Sequence, residues 1–117
     1  MSPADLVLLL GSYRFDTSTE RVLQDGIAQA LHNSGVPFVR EVRLSQRDRI
    51  DFMVGRIGVE VKIGGSFSAL ARQLYRYAES AKLDALVLVS SRVRLGHLPE
   101  MILGKSVVTC CLLGSLL

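Results

Sequence analysis

Two acids and a lysine fall where residue type and spacing together could do chemistry. Arg49 to Val54 and Ile57 to Ile63 alternate between apolar and other residues, and Gly55-Arg56 between them suits a two-residue hairpin turn. Ile50, Phe52 and Val54 then share one face of the first strand, and Ile57, Val59, Val61 and Ile63 one face of the second. Asp51 is left on the opposite face, as are Glu60 and Lys62. With Val54 paired to Ile57, counting back from the turn sets Asp51 against Glu60. Cβ atoms so opposed are ~5 Å apart, and like charges there repel. A cation between the carboxylates removes the conflict, and a few hard oxygens plus water suit Mg²⁺. Lys62 projects from the same side toward the same spot. It is placed to orient or deprotonate an attacking water, or to offset charge developing on a phosphate.

A further acid and a second helix point toward this hairpin. Glu20 stands in line with Leu23, Ile27 and Leu31, at spacings that mark the inward stripe of a helix. Buried acids are generally paired or bound to metal, because an isolated buried charge is costly. Glu20 also has capping-box spacing from Thr17, so a ligand role and a capping role are both open to it. Further on, Gln73 and Tyr77 are four residues apart on one helix face, flanked by Arg72 and Arg76. If that helix packs beside the hairpin, Gln73 and Tyr77 reach the acidic pair while the arginines approach nucleic-acid phosphates. The alternative is an ordinary amphipathic helix with a solvated arginine face.

These residues need elements to position them, and the chain is long enough to supply one set. At 117 residues with 49% hydrophobic and 21% charged composition, it reads as a single α/β domain spanning residues 1–117. A first apolar segment, Leu6 to Leu10, precedes a helix expected from about Ser18 to Asn33, stopped by Gly35 and Pro37. Val36 to Leu44 reads as a strand ahead of the hairpin. Gly64-Gly65 break the chain, Ser66 can cap, and a second helix is expected to run to about Lys82 on an apolar face of Leu70, Leu74, Ala78 and Ala81. Asp84 to Ser90 is a continuous apolar run, the pattern of a strand buried on both faces. Pro99 to Leu103 fits a short helix, and Ser106 to Leu113 a last strand. The order is that of an α/β sandwich around a mixed sheet.

Charge and cysteine usage narrow the setting. The net charge is +3, and 11 of the 14 basic residues are arginine, whose planar fork binds phosphate bidentately. Cys110 and Cys111 are neighbours in an apolar strand, point to opposite faces and read as core residues of a reducing compartment. The longest apolar run, Val107 to Leu117, is too short to span a membrane, and the N-terminus lacks a basic signal-peptide region. A cytoplasmic protein without a membrane partner is expected.

Taken together, Glu20, then Arg49-Ile50-Asp51-Phe52, then Val59-Glu60-Val61-Lys62, then Gln73-Leu74-Tyr75-Arg76-Tyr77 resembles the PD-(D/E)XK nuclease superfamily. The resemblance covers roughly Thr17 to Ser91, with Ile50 standing where the family often has proline. It implies a restriction-endonuclease-like αβββαβ core with a mixed central sheet, here followed by an extra C-terminal strand. It implies Asp51, Glu60 and the Val61 carbonyl as ligands of Mg²⁺ or Mn²⁺, with Glu20 matching the acid often found on the first helix. Lys62 would serve the attacking water, and Gln73 with Tyr77 fits the Q-x-x-x-Y pattern of the recombination-exonuclease branch. DNA contacts would fall to Tyr77, Arg72, Arg76 and Arg49.

The expected activity is that of a metal-dependent DNA endonuclease selective for DNA structure, such as branched or junction DNA. The small Holliday-junction resolvases and related phage-type nucleases are of this kind. A restriction- or repair-type nuclease on linear duplex is the alternative within enzymes, and a non-catalytic nucleic-acid-binding module the alternative outside them. Three further features carry two readings each. His97 lies in a basic loop, Arg92 to His97, that suits either DNA contact or plain solvation. Tyr13, Arg14 and Phe15 could clamp nucleic acid or simply pack. Leu112, Leu113, Leu116 and Leu117 form an apolar tail that a homodimer would cover, unless it folds back over Leu6 to Leu10.

Overall fold

Each helix of the fold begins at a residue whose side chain closes its first turn. The computed structural model describes residues 1–91 and 98–112. The first apolar segment is helical: α1 spans Pro3–Gly11, opened by a capping box in which Ser2 and Asp5 exchange bonds between side chain and backbone. Helix α2 spans Glu20–Asn33, two residues shorter at its start than the spacing predicts. Its cap is Thr19, which accepts from the Val22 N–H at 3.1 Å, so the Thr17–Glu20 capping box does not form. Glu20 is thereby released from capping. Leu23, Ile27 and Leu31 line the buried stripe of α2, each contributing about 2 kcal/mol by burial.

Strands β1 (Val39–Arg43), β2 (Arg49–Val54) and β3 (Ile57–Val61) follow as an antiparallel meander. Gly55 opens the turn between β2 and β3 with φ +58° at its first central position, as a type II′ turn requires. The next helix, α3 (Phe67–Ala78), is capped by Ser66 and ends four residues before Lys82, so Ala81 falls outside it and is exposed. It carries the chain back to β4 (Ala85–Ser90), parallel to β3 and buried along its whole length.

The short helix expected at Pro99 to Leu103 is instead a strand. Met101–Ile102 form β5, which turns through Leu103 and Gly104, both at positive φ, to pair with the start of β6 (Lys105–Cys111). Two successive positive-φ residues make the tight primed turn of a hairpin, and a leucine at the first of them hides the signal. The six strands form one mixed sheet in the order β1-β2-β3-β4-β6-β5, with β4 and β6 parallel.

Among the described residues, three helices cover this sheet on both faces. Leu6, Leu10, Leu23, Ile27 and Leu31 of α1 and α2 pack with Phe52, Val59, Val61, Val87 and Val89 on one side. Leu70, Leu74, Tyr77 and Ala78 of α3 pack with Leu86, Leu88 and Val107 on the other. Cys110 and Leu112 join the first of these cores, so up to Leu112 the tail does fold back over α1. Leu113, Leu116 and Leu117, and the loop from Arg92 to His97, lie outside the described residues. Cys110 is buried and Cys111 exposed, on opposite faces as the strand dictates, and no disulfide joins them. Among the described residues no helix is long and apolar enough to cross a membrane.

Candidate metal and phosphate site

The hairpin register runs Val54↔Ile57, Met53↔Gly58, Phe52↔Val59, so the next step sets Asp51 against Glu60. There the backbone ladder gives way to side chains. The Asp51 N–H donates to Glu60 Oε1 at 3.3 Å, and the Val61 N–H donates to Asp51 Oδ2 at 2.8 Å. Each acid is thus tied to the backbone of the opposing strand. This holds both carboxyls at the carboxyl end of β3, where parallel strands of an α/β sheet place their ligands.

The expected face pattern holds for β3 but not for β2. Phe52 and Val54 pack toward α1 and α2, whereas Ile50 packs toward α3, over the hydrogen side of Gly58. The cause lies opposite Asp51. Glu41, between the pairs Arg40↔Phe52 and Val42↔Ile50, has φ +53°, a left-handed conformation that interrupts the alternation of both strands. Arg40 consequently lies over the Phe52 ring, 5.3 Å from its centroid, while Val42 packs on the α3 side. Asp51 sits at this break.

Glu60 is the most deeply set of the acids, 4% exposed. Tyr77, 1% exposed, reaches it from α3, its hydroxyl lying 3.2 Å from Glu60 Oε2 and 3.1 Å from the Arg49 carbonyl. Burial, then repulsion from Asp51, pushes the Glu60 carboxyl up to about 8, and burial raises that of Asp51 as well. Burial and mutual repulsion thus oppose ionisation of both carboxyls together. The same burial and the adjacent acids raise the Tyr77 phenol, which stays a donor. Lys62 lies close enough to lower both acids. Its own N–H donates to the Val89 carbonyl, which fixes the backbone beyond β3 against β4.

The other expected site residues divide. Glu20 comes to the pair's side of the sheet end: its Oε1 accepts from the Ile63 N–H at 3.0 Å, and its charge bears on Asp51. It does not close a three-acid cage, for among the described residues no three His, Cys, Asp or Glu side chains converge to hold an ion. Gln73 is half-buried one turn before Tyr77, with no hydrogen bond to either acid. The assignment of Tyr77 to DNA contact is corrected: a side chain buried to this degree cannot touch a duplex, and it positions Glu60 instead. Arg76 is held by Asp48 at 3.0 Å, so it anchors α3 to the β1–β2 loop. Arg72 and Arg49 are exposed, the latter 3.9 Å from Glu41.

Two residues of this neighbourhood escape a reading of the sequence. Asp48 is buried and closes its loop through the Ser45 hydroxyl, which accepts from the Asp48 N–H at 3.1 Å. The Ser-x-x-Asp spacing is the signal, and it marks a turn rather than a site. Glu41 carries no signal at all.

The oxygens of Asp51, Glu60 and the Val61 backbone form an all-oxygen donor set, and a buried pair of like-charged acids is the arrangement a hard divalent cation satisfies. The residues present fit such an ion. No family model, curated protein or solved structure matches this chain.

Proposed function

We propose that the protein is a divalent-metal-dependent DNA endonuclease of the PD-(D/E)XK type, with a restriction-endonuclease-like core formed by α2, β1 to β3, α3 and β4. The observation that carries this reading is the juxtaposition of Asp51 and Glu60 across the hairpin, with Lys62 beside them on the continuing strand. Asp51, Glu60 and the Val61 carbonyl would hold Mg²⁺ or Mn²⁺, with Glu20 adjacent. When bound, the ion supplies Lewis-acid stabilisation of the charge that develops on the phosphodiester.

The chain's own groups do the rest. The Val61 and Asp51 amides hold the two carboxyls in register, and the Tyr77 hydroxyl keeps Glu60 turned toward Asp51. Lys62 orients the attacking water and offsets charge on the phosphate. Exposed Arg72 and Arg49 meet the DNA backbone, and Gln73 stands one turn before Tyr77 on the same helix.

A panel of junction, flap, linear duplex, single strand and circle, each with Mg²⁺, Mn²⁺ or EDTA, tests the reading. Metal-dependent cleavage, fastest on branched DNA and abolished in Asp51→Asn, is expected. No cleavage of any member by the wild type overturns the reading, and equal cleavage by Asp51→Asn removes the acidic pair from it. Preference for linear duplex replaces branched DNA as the substrate.

A further inference from the structure

The chain between α1 and α2 runs along the same end of the sheet as the acidic pair. It begins at Gly11, beside the end of β6, and finishes where Glu20 takes the Ile63 N–H at the end of β3. Lys62, Ser90 and Cys111 stand in one row across β3, β4 and β6, linked by the bond from the Lys62 N–H to the Val89 carbonyl and by the pairing of Ser90 with Cys111. At the β6 end of this row lies a cavity of about 260 Å³ lined by Tyr13, Arg14, Phe15, Cys111 and Leu112.

The walls of that cavity are built and its cation is not used. The Tyr13 hydroxyl is fixed to Ser34 Oγ at 2.6 Å, and its ring lies against that of Phe15, the centroids 6.1 Å apart. Phe15 is seated on α2 where Gly26 leaves room, since a Cβ there would come within 3.1 Å of the ring. These two contacts fix the turn, so Arg14 projects from a rigid base. Arg14 is exposed and makes no hydrogen bond or ion pair among the described residues. A guanidinium on a fixed turn, beside an aromatic wall, is a receptor for a phosphodiester and its base.

We propose that this cavity is a subsite for the substrate DNA strand, in which Arg14 binds a backbone phosphate a short step from the point of cleavage. The two sites share one end of the sheet, β6 lying two strands from β3, roughly 10 Å, a short step along a nucleic-acid backbone. The subsite rests on the nuclease reading, and it gives the bound strand a direction, across the ends of β3, β4 and β6.

Steady-state kinetics of the full chain on the labelled DNA cleaved fastest in the panel tests it. Arg14→Ala should raise KM roughly tenfold, leave kcat within about twofold, and lower the slope of log affinity against log salt by about 0.9, the value of one lost phosphate contact. Arg56→Gln, the same loss of charge at the opposite end of the sheet, should leave KM and the salt slope unchanged. In parallel, the same DNA in EDTA should slow alkylation of Cys111, which lines the cavity. An Arg14→Ala enzyme that cleaves with wild-type KM and salt slope overturns the subsite and leaves the nuclease reading standing. A loss confined to kcat, or a Cys111 alkylation rate indifferent to DNA, overturns it as well. A wild type that cuts nothing overturns both.

Discussion

At the scale of single residues, Asp51, Glu60 and Lys62 are legible because a two-residue turn fixes which residues of the two strands stand opposite one another. What the spacing does not reveal is how the metal-free pair is tolerated. Its burial opposes ionisation, and the Asp51 amide and the Tyr77 hydroxyl, whose place depends on where α3 docks, donate to the Glu60 oxygens. This has a sign. Glu60 ordinarily titrates at 4.5 and is raised to about 8 in the fold, so the native state holds an extra proton between those values. The stabilisation is full below pH 4.5 and is lost as pH rises through about 8. In EDTA the melting temperature should therefore fall from pH 6 to pH 9, and Glu60→Gln should flatten most of that fall. Calorimetry decides it, and a wild-type curve that climbs over this interval contradicts the buried pair. Lys62 gives a separate expectation. Lys62→Ala should keep the rise in melting temperature with Mg²⁺ yet lower cleavage by ~10²-fold or more, the scale of a lost positioned group. Cleavage near the wild-type rate removes Lys62 from the mechanism.

At the scale of elements, periodicity located α2, α3 and all strands but β5, while the ends moved wherever a cap or a turn competed. Thr19 rather than Thr17 caps α2, which frees Glu20 for the Ile63 amide. The face of Ile50 differs from the periodicity for another reason. Alternation assumes extended backbone, and Glu41 at φ +53° breaks it in β1 and, across the ladder, in β2. A non-glycine residue held left-handed costs about 1 kcal/mol, and such strain gathers at functional sites. Glu41→Gly should then be neutral or stabilising by up to about 1 kcal/mol, with cleavage retained. Glu41→Val, branched at Cβ, should destabilise by about 1–2 kcal/mol or more, because its side chain is worst suited to that φ. Denaturant unfolding of both variants checks the pair. Glycine less stable than wild type would show that the Glu41 side chain, rather than its backbone, matters here.

At the scale of the whole molecule, the sheet has two unlike edges. β1 is short, carries Arg40, Glu41 and Arg43, and is bent at its centre, all features that discourage another strand from adding. β6 is the longest strand, and β5 covers only Lys105 and Ser106 of it. The Val107 N–H still donates to the Glu100 carbonyl; from Val108 to Cys110 the described residues place no strand beside it, and that stretch bears no charge. The adjoining β5 turn exposes Met101 and Leu103, at 60% and 53%. The apolar tail points to a dimer in the sequence, but Leu112 belongs to the core cluster of Leu6 and Leu10, which leaves this edge as the surface a dimer would cover. A second copy antiparallel along the middle of β6 would pair with it and cover Met101 and Leu103 about a two-fold axis. Light scattering at micromolar concentration should give about twice 12.8 kDa. Thr109→Lys sets a charge at the centre of the exposed edge, so it should return the species to 12.8 kDa without lowering the melting temperature of the monomer. A wild type of 12.8 kDa that still cleaves both strands excludes the dimer, and a dimer indifferent to Thr109→Lys places its interface elsewhere.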